Sequence, residues 1–149
     1  MIVVAGEALV DLVPDDDGRL GAHCGGGPFN VARALARLGQ RVDFLGCVSD
    51  DAFGDRLRQA LSVDGVGVGT AVDSRLPTTL ALAALNSDGT AEYRFYTEAT
   101  ATAALTPTDA LAVLPRELDA LVTGSFGLVL EPLCAAILAL LESEPAAGR

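Results

Sequence analysis

Positive charge is scarce in this chain: ten basic residues face twenty acidic ones, a formal net charge of −10 at pH 7. Nucleic acid and anionic membrane surfaces are therefore disfavoured as partners, since both would be repelled beyond short range. A nucleotide site needs only a local positive potential and stays open. Cysteine is sparse too. Cys24, Cys47 and Cys134 are odd in number and widely spaced, which fits neither a disulfide framework nor a zinc site. No metal site is expected from them, and they are read as reduced thiols in or near the core. No apolar run reaches bilayer length without a polar or glycine interruption, and the start MIVVAGEALVDLVPDDD lacks the basic opening of a secretory signal. A cytoplasmic location is expected. Also missing are a G-x-x-x-x-G-K-S/T loop and a G-x-G-x-x-G run after the first strand. What remains is a chain of 149 residues, half apolar and one-fifth charged, long enough for one domain with a real core.

The stretch from Cys24 to Asp55 organises the rest. Gly25, Gly26 and Gly27 carry no Cβ, so the backbone can turn sharply and let a ligand approach its N–H groups. Pro28 suits the first turn of a helix. Val31, Ala34, Leu35 and Leu38 then follow at i, i+3, i+4 and i+7 as one apolar stripe, with Arg33 and Arg37 expected on the other side. Gly39 is a natural stop. Val42 to Val48 reads as a strand, which makes a β-α-β crossover with the glycine run at the helix N-terminus, an end that attracts anions and hydroxyls. Asn30 stands out there as a carboxamide able to donate and accept; helix capping is its alternative role.

Upstream, Ile2 to Ala5 reads as a strand buried on both faces of a parallel sheet, with Gly6-Glu7 as its exit. Asp11 lies beyond it, where ligands of open α/β sheets collect. Its alternative is a solvated turn carboxylate beside Asp15, Asp16 and Asp17. Downstream, Ser49 or Asp50 can cap a helix with apolar positions at Phe53, Leu57, Ala60 and Leu61. A strand around Val66 to Asp73 comes next. Thr78 to Leu85 and Ala91 to Thr97 are β-prone runs joined by Asn86-Ser87-Asp88-Gly89, an antiparallel hairpin that would pair with the Asp11 to His23 region outside the parallel core. It holds both tyrosines of the chain, Tyr93 and Tyr96, with Phe95 between them. Rings on strands suit core packing as well as sugar contact. Thr106-Pro107-Thr108-Asp109 opens a short helix. Ala120 to Gly124 is another buried strand, and Glu131-Pro132 opens a last helix with Leu133, Ile137, Leu138 and Leu141 on its face. A fraying tail from Glu142 to Arg149 is expected. Strands alternating with helices indicate an α/β domain built on a parallel sheet.

Gly25-Gly26-Gly27-Pro28-Phe29-Asn30-Val31-Ala32, then Gly39, then Ser49-Asp50-Asp51-Ala52-Phe53-Gly54, resembles the first signature of the ribokinase-like, phosphofructokinase-B type sugar kinases. Gly6, Glu7 and Asp11 match that family's start. Ser49 departs, standing where the family usually has glycine. The resemblance implies a ribokinase-like parallel sheet flanked by helices, with a small antiparallel β lid from about residues 12–23 and 78–97 that can also form a homodimer interface. It implies sugar contacts from Asp11, Gly25, Gly26, Gly27 and Asn30, with Tyr96 from the lid. Thr97 stands where some members carry an arginine for a sugar acid, which moves the expectation toward a neutral sugar. ATP with Mg2+ is the implied cosubstrate. The family's second signature, D-T-x-G-A-G-D with its catalytic aspartate and anion hole, has no counterpart here, so residues 1–149 are expected to be the N-terminal part of one truncated ribokinase-like domain with no catalytic base of its own. Three functions stay open: the sugar-binding half of a carbohydrate kinase, fructokinase- or ribokinase-like; a non-catalytic sugar or nucleoside binding module or inactive remnant; and a dinucleotide-binding domain, whose glycine fingerprint is missing.

Overall fold

The first strand, β1 (Ile2–Ala5), shows how the molecule is layered. Side chains alternate across a strand, and here Val3 and Ala5 enter one apolar cluster while Val4 enters another, all fully buried. A four-residue strand with no polar side chain can only sit between two covered faces. The computed structural model describes residues 1–85 and 91–143 of the chain. The Asn86 to Gly89 turn and the tail from residue 144 lie outside the described residues.

β1 is the middle of a three-stranded parallel sheet, flanked by β4 (Val42–Leu45) and β9 (Ala120–Thr123), with Val4 beside Phe44 and Val122. Helices α1 (Gly27–Arg37) and α2 (Ala52–Val63) cover the Val4 face, where Phe29, Ala32, Phe44, Leu57 and Leu61 are buried together. Helices α3 (Pro107–Val113) and α4 (Leu133–Glu142) cover the other, with Leu45, Leu105, Leu118 and Ile137. Between β1 and α1, the chain makes β2 (Leu9–Pro14) and β3 (Leu20–Gly25). These join β7 (Leu80–Leu85) and β8 (Ala91–Tyr96) in a second sheet of order β3-β2-β7-β8, antiparallel except for the parallel β2–β7 pair. The 78–97 hairpin thus pairs with the Asp11 to His23 region outside the parallel core, as its composition suggests. Of two caps read from sequence, one forms and one moves. Thr106 accepts the Asp109 N–H at 3.2 Å, and α2 is capped one residue beyond the expected position, by Asp51 accepting the Gly54 N–H at 2.8 Å. The three cysteines are free thiols, Cys47 buried and the others half-buried.

Five local expectations are corrected. In α1 the buried face is Pro28, Phe29 and Ala32, supported by Leu35 and Ala36, while Val31, Ala34 and Leu38 are exposed. The helix is apolar on both sides, and Phe29 decides the matter by packing edge-on to Phe44, ring centroids 6.3 Å apart. Arg33 and Arg37 do not face solvent alone: both bind Asp64 at the end of α2, and the Arg33 guanidinium lies 5.4 Å from the Phe29 ring centre. The run from Val42 to Val48 breaks at Gly46 into β4 and β5 (Cys47–Ser49), and β5 leaves the central sheet to pair with β6 (Val72–Ser74). Gly46 permits the break by lying against the Gly6 carbonyl, 2.3 Å from where a Cβ would stand. The strand expected over 66–73 reduces to β6 and a single bridge between Asp43 and Gly67. In α4, Leu138 and Leu141 are exposed, and Ala136 and Leu140 are buried beside Leu133 and Ile137.

Candidate functional site

The junction of β1, β2, β3 and α1 is where the glycine run sits, and each glycine meets a different neighbour. At Gly25 a Cβ would fall 2.2 Å from Asp11 Oδ2. At Gly26, whose φ is +113°, it would meet the Glu7 carbonyl at 2.7 Å. At Gly27 it would press on Ser125 and on Glu7 Oε1 at 3.2 and 3.3 Å. The run is therefore a close crossing of chains as well as a turn. A bulky residue at Gly26 would be strained by its backbone conformation and would collide with main chain, so loss of binding after such a change would report on the fold first.

Glu7 is the residue that the sequence placed at a strand exit and in the Gly6-Glu7-Asp11 match without a role of its own. It is 1% exposed. Its Oε1 accepts the Gly27 N–H at 2.9 Å, which supplies one of the donors left open at the start of α1. Burial raises its pKa, while hydrogen bonding from its own backbone, Ser125, Gly27 and Gly127 pulls the other way. No donor meets Oε2 at full hydrogen-bond geometry. The signal was available: a carboxylate directly after the buried run Ile2 to Gly6 has to find donors. Glu7 thus ties α1 to the turn at Ser125–Leu128, which follows β9. That turn carries Ser125 at φ 56°, a left-handed conformation uncommon for serine. Alongside, Val4, Gly27, Pro28, Val31, Val122, Thr123, Gly124 and Ser125 line a cavity of about 220 Å³.

Asp11 lies on β2, half-buried, with its pKa raised by burial and held back by the charge of His23. It is brought directly against Gly25. Asn30 is exposed in the first turn of α1, and its own N–H bonds to the Gly26 carbonyl at 2.9 Å. The N-cap of that helix is Gly26, without a side-chain capping bond, so capping is not the role of the Asn30 carboxamide. Asp11, Gly25, Gly26, Gly27 and Asn30 therefore belong to one stretch around the β2–β3 ladder and the α1 N-terminus. Tyr96 is set apart from them. It is in register with Leu80 and, through it, with Val10, whereas Asp11 is in register with Ala81 and Phe95. Paired residues share a face, so the ring that shares the Asp11 face is Phe95. Its ring packs edge-on to Phe126 with centroids 4.8 Å apart, and it stacks on Tyr93. Period-two alternation could have separated Phe95 from Tyr96; only the register could say which of them Asp11 shares a face with.

Asp51, in the Ser49 to Gly54 motif, has a structural task. Besides capping α2, it accepts hydrogen bonds from the Thr78 N–H at 2.8 Å and the Thr78 hydroxyl at 2.6 Å. Burial opposes its charge, but Thr78, Gly54 and Ser49 outweigh that and lower its pKa to about 2. Among the described residues no cluster of three or more His, Cys, Asp or Glu side chains could hold a metal ion, and no helix is long and apolar enough to cross a membrane.

Comparison with known proteins gives one consistent result. A family model described as pfkB family carbohydrate kinase matches residues 1–144. Fructokinase-2 of Solanum habrochaites is 37% identical over 156 aligned residues, which cover 99% of this chain and 48% of that protein. The crystal structure of fructokinase from Xylella fastidiosa superimposes with a TM-score of 0.87 at 26% identity, over 94% of this chain and 47% of the other. Fructokinase from Vibrio cholerae O395, in a form with bound fructose, ADP and calcium ion, superimposes with a TM-score of 0.77 at 27% identity, over 94% and 45%. The chain spans about half the length of the curated relatives it matches.

Proposed function

The chain belongs to the pfkB family of carbohydrate kinases, and from that premise we propose that it is the sugar-binding half of an ATP-dependent kinase that phosphorylates a hydroxyl of a neutral sugar, fructose being the first candidate. The observation that carries the reading is the meeting of Asp11 with Gly25, the first residue of the glycine run that leads into α1. A carboxylate accepts hydrogen bonds from hydroxyls, and the glycines ahead of Pro28 let a ligand come close to the main chain there. Asn30 adds a group that both donates and accepts. The side sheet β3-β2-β7-β8 acts as the lid, with Phe95 supplying an apolar surface against a sugar ring.

Phosphoryl transfer needs a base at the acceptor hydroxyl and charge stabilisation around the phosphates. We assign neither to the described residues. ATP is proposed as donor because the Vibrio cholerae relative holds ADP beside fructose. Among the described residues no group of three or more His, Cys, Asp or Glu side chains could hold Mg2+, and no step is assigned to it. What these residues do is hold the sugar, orient its reacting hydroxyl, and exclude water by closing the side sheet over it. The 149-residue chain by itself is therefore expected to bind sugar without transferring phosphate.

Calorimetric titration with D-fructose, D-ribose and a nucleoside tests this. Asp11→Ala and Asn30→Ala should each weaken binding of the preferred sugar by about 1–3 kcal/mol with unchanged circular dichroism. Wild-type affinity in both variants would retire the assignment. Sugar-dependent ADP release by the chain alone would show that a catalytic base lies within it.

A further inference from the structure

The β2–β3 ladder sets Asp11 directly opposite His23. Opposed residues of an antiparallel pair project from the same face, with Cβ atoms about 4.5–5.5 Å apart. β3 contributes nothing else there: two positions away on either side stand Gly21 and Gly25. The imidazole is thus the one side chain that β3 places on this face. It leans over Gly21, where an added Cβ would come within 2.9 Å of Nε2. The row continues through Ala81 on β7 to Phe95 on β8, so the face runs imidazole, carboxylate, methyl, aromatic ring. Gly25 keeps the Asp11 carboxylate uncovered at one end of the row's neighbourhood, and His23 itself is exposed.

We propose that His23 is a second polar contact of the sugar site, binding a hydroxyl adjacent to the one held by Asp11. This rests on the sugar reading above and narrows it to ligands with neighbouring neutral hydroxyls. The chemistry of the two groups is complementary. A carboxylate accepts a hydrogen bond from one hydroxyl; an imidazole carries two ring nitrogens, at least one of them a donor, so it can pair with the next hydroxyl. An anionic substituent in the same place would lie against Asp11 and be repelled. The alternation Gly-x-His-x-Gly on β3 then has a function: it clears the face on both sides of the imidazole so that a ring can lie across it.

The chain has a single histidine, so the imidazole Cε1–H group of the labelled full chain gives one unambiguous NMR signal. On titration with D-fructose at neutral pH, that signal should move saturably, with the same midpoint as the amide signals of Asp11 and Asn30. His23→Ala should weaken fructose binding roughly 5- to 100-fold, and His23→Gln, which keeps a donor and an acceptor, should lose less. Saturable shifts at Asp11 and Asn30 with an unmoved imidazole, or wild-type affinity in a folded His23→Ala, would overturn this inference and leave the sugar reading standing. Absence of saturable shifts at all three positions would overturn both.

Discussion

The two sheets of this molecule are built on opposite plans. β1, in the central sheet, hides both faces: Val3 and Ala5 go one way, Val4 the other, and helices close each side. The β3-β2-β7-β8 sheet packs one face on the core through Val10, Leu12, Cys24 and Leu80, while on the other the buried Leu9, Ala81 and Ala83 stand among exposed neighbours. Its other face carries Asp11, His23, Phe95 and Tyr93. A strand covered on both sides has no room for chemistry, since any polar group there would need a buried partner. A strand covered on one side can spend its alternate residues on a ligand. On the proposed sugar-binding role, stability and recognition belong to different sheets, and substitutions should separate them.

The largest effect is expected in the central layers. Phe44 is fully buried against Phe29, and Phe44→Ala should lower unfolding free energy by about 3–5 kcal/mol, read from urea titration. Asp51→Ala comes next, at about 0.5–2 kcal/mol near pH 7, because it removes the α2 cap together with the Thr78 bonds. Its pH dependence has a definite sign. The folded-state pKa lies near 2, below the ordinary 3.8, so the stabilisation is whole above pH 3.8 and drains away as pH falls toward 2. The gap between wild type and variant should close over that window; a gap that persists at pH 2 would show that charge is not its source. The smallest effect on stability belongs to the side sheet. Phe95 is 46% exposed, and Phe95→Ala should cost less than about 1 kcal/mol while lowering fructose affinity. Tyr96→Ala, on the opposite face, should leave affinity unchanged. The reverse order of those two aromatics in a calorimetric titration would break the division of labour drawn above.

Much of this was legible in the residues because the deciding forces are local. The buried β1 run, the Thr106 cap, the glycine run before Pro28 and the separate hairpin all follow from patterns a few residues long. What misled the reading was decided by distant partners. The α1 sequence Phe29-Asn30-Val31-Ala32-Arg33-Ala34-Leu35 holds two overlapping apolar stripes, and only the arrival of Phe44 and Asp64 selects between them. The break at Gly46 needs the Gly6 carbonyl, and the burial of Leu140 rather than Leu141 in α4 needs the α3 and β1 side chains beneath it. Glu7 was visible but undervalued, since its donors Gly27 and Ser125 come from 20 residues or more along the chain. Asp11 and the glycines were found because a motif names them; the face shared by Asp11 and His23 exists only once the register is set.

Only Gly6, Glu7 and Ala8 separate the end of β1 from the start of β2. Gly6 is packed against Pro28 and its N–H is held by Leu45, Glu7 is fixed to Gly27, and the Ala8 carbonyl accepts the Thr102 hydroxyl at 2.7 Å. A plate clamped along its root in this way behaves as a cantilever rather than as a door on a hinge. On the proposed lid role the floor at Asp11 and Gly25 would stay in place, and any travel would fall to the hairpin ends of β7 and β8, beyond the Thr78–Asp51 bonds and the Phe95–Phe126 contact. A binding surface with that mechanics can close down on its cargo without losing the alignment of the groups that first hold it.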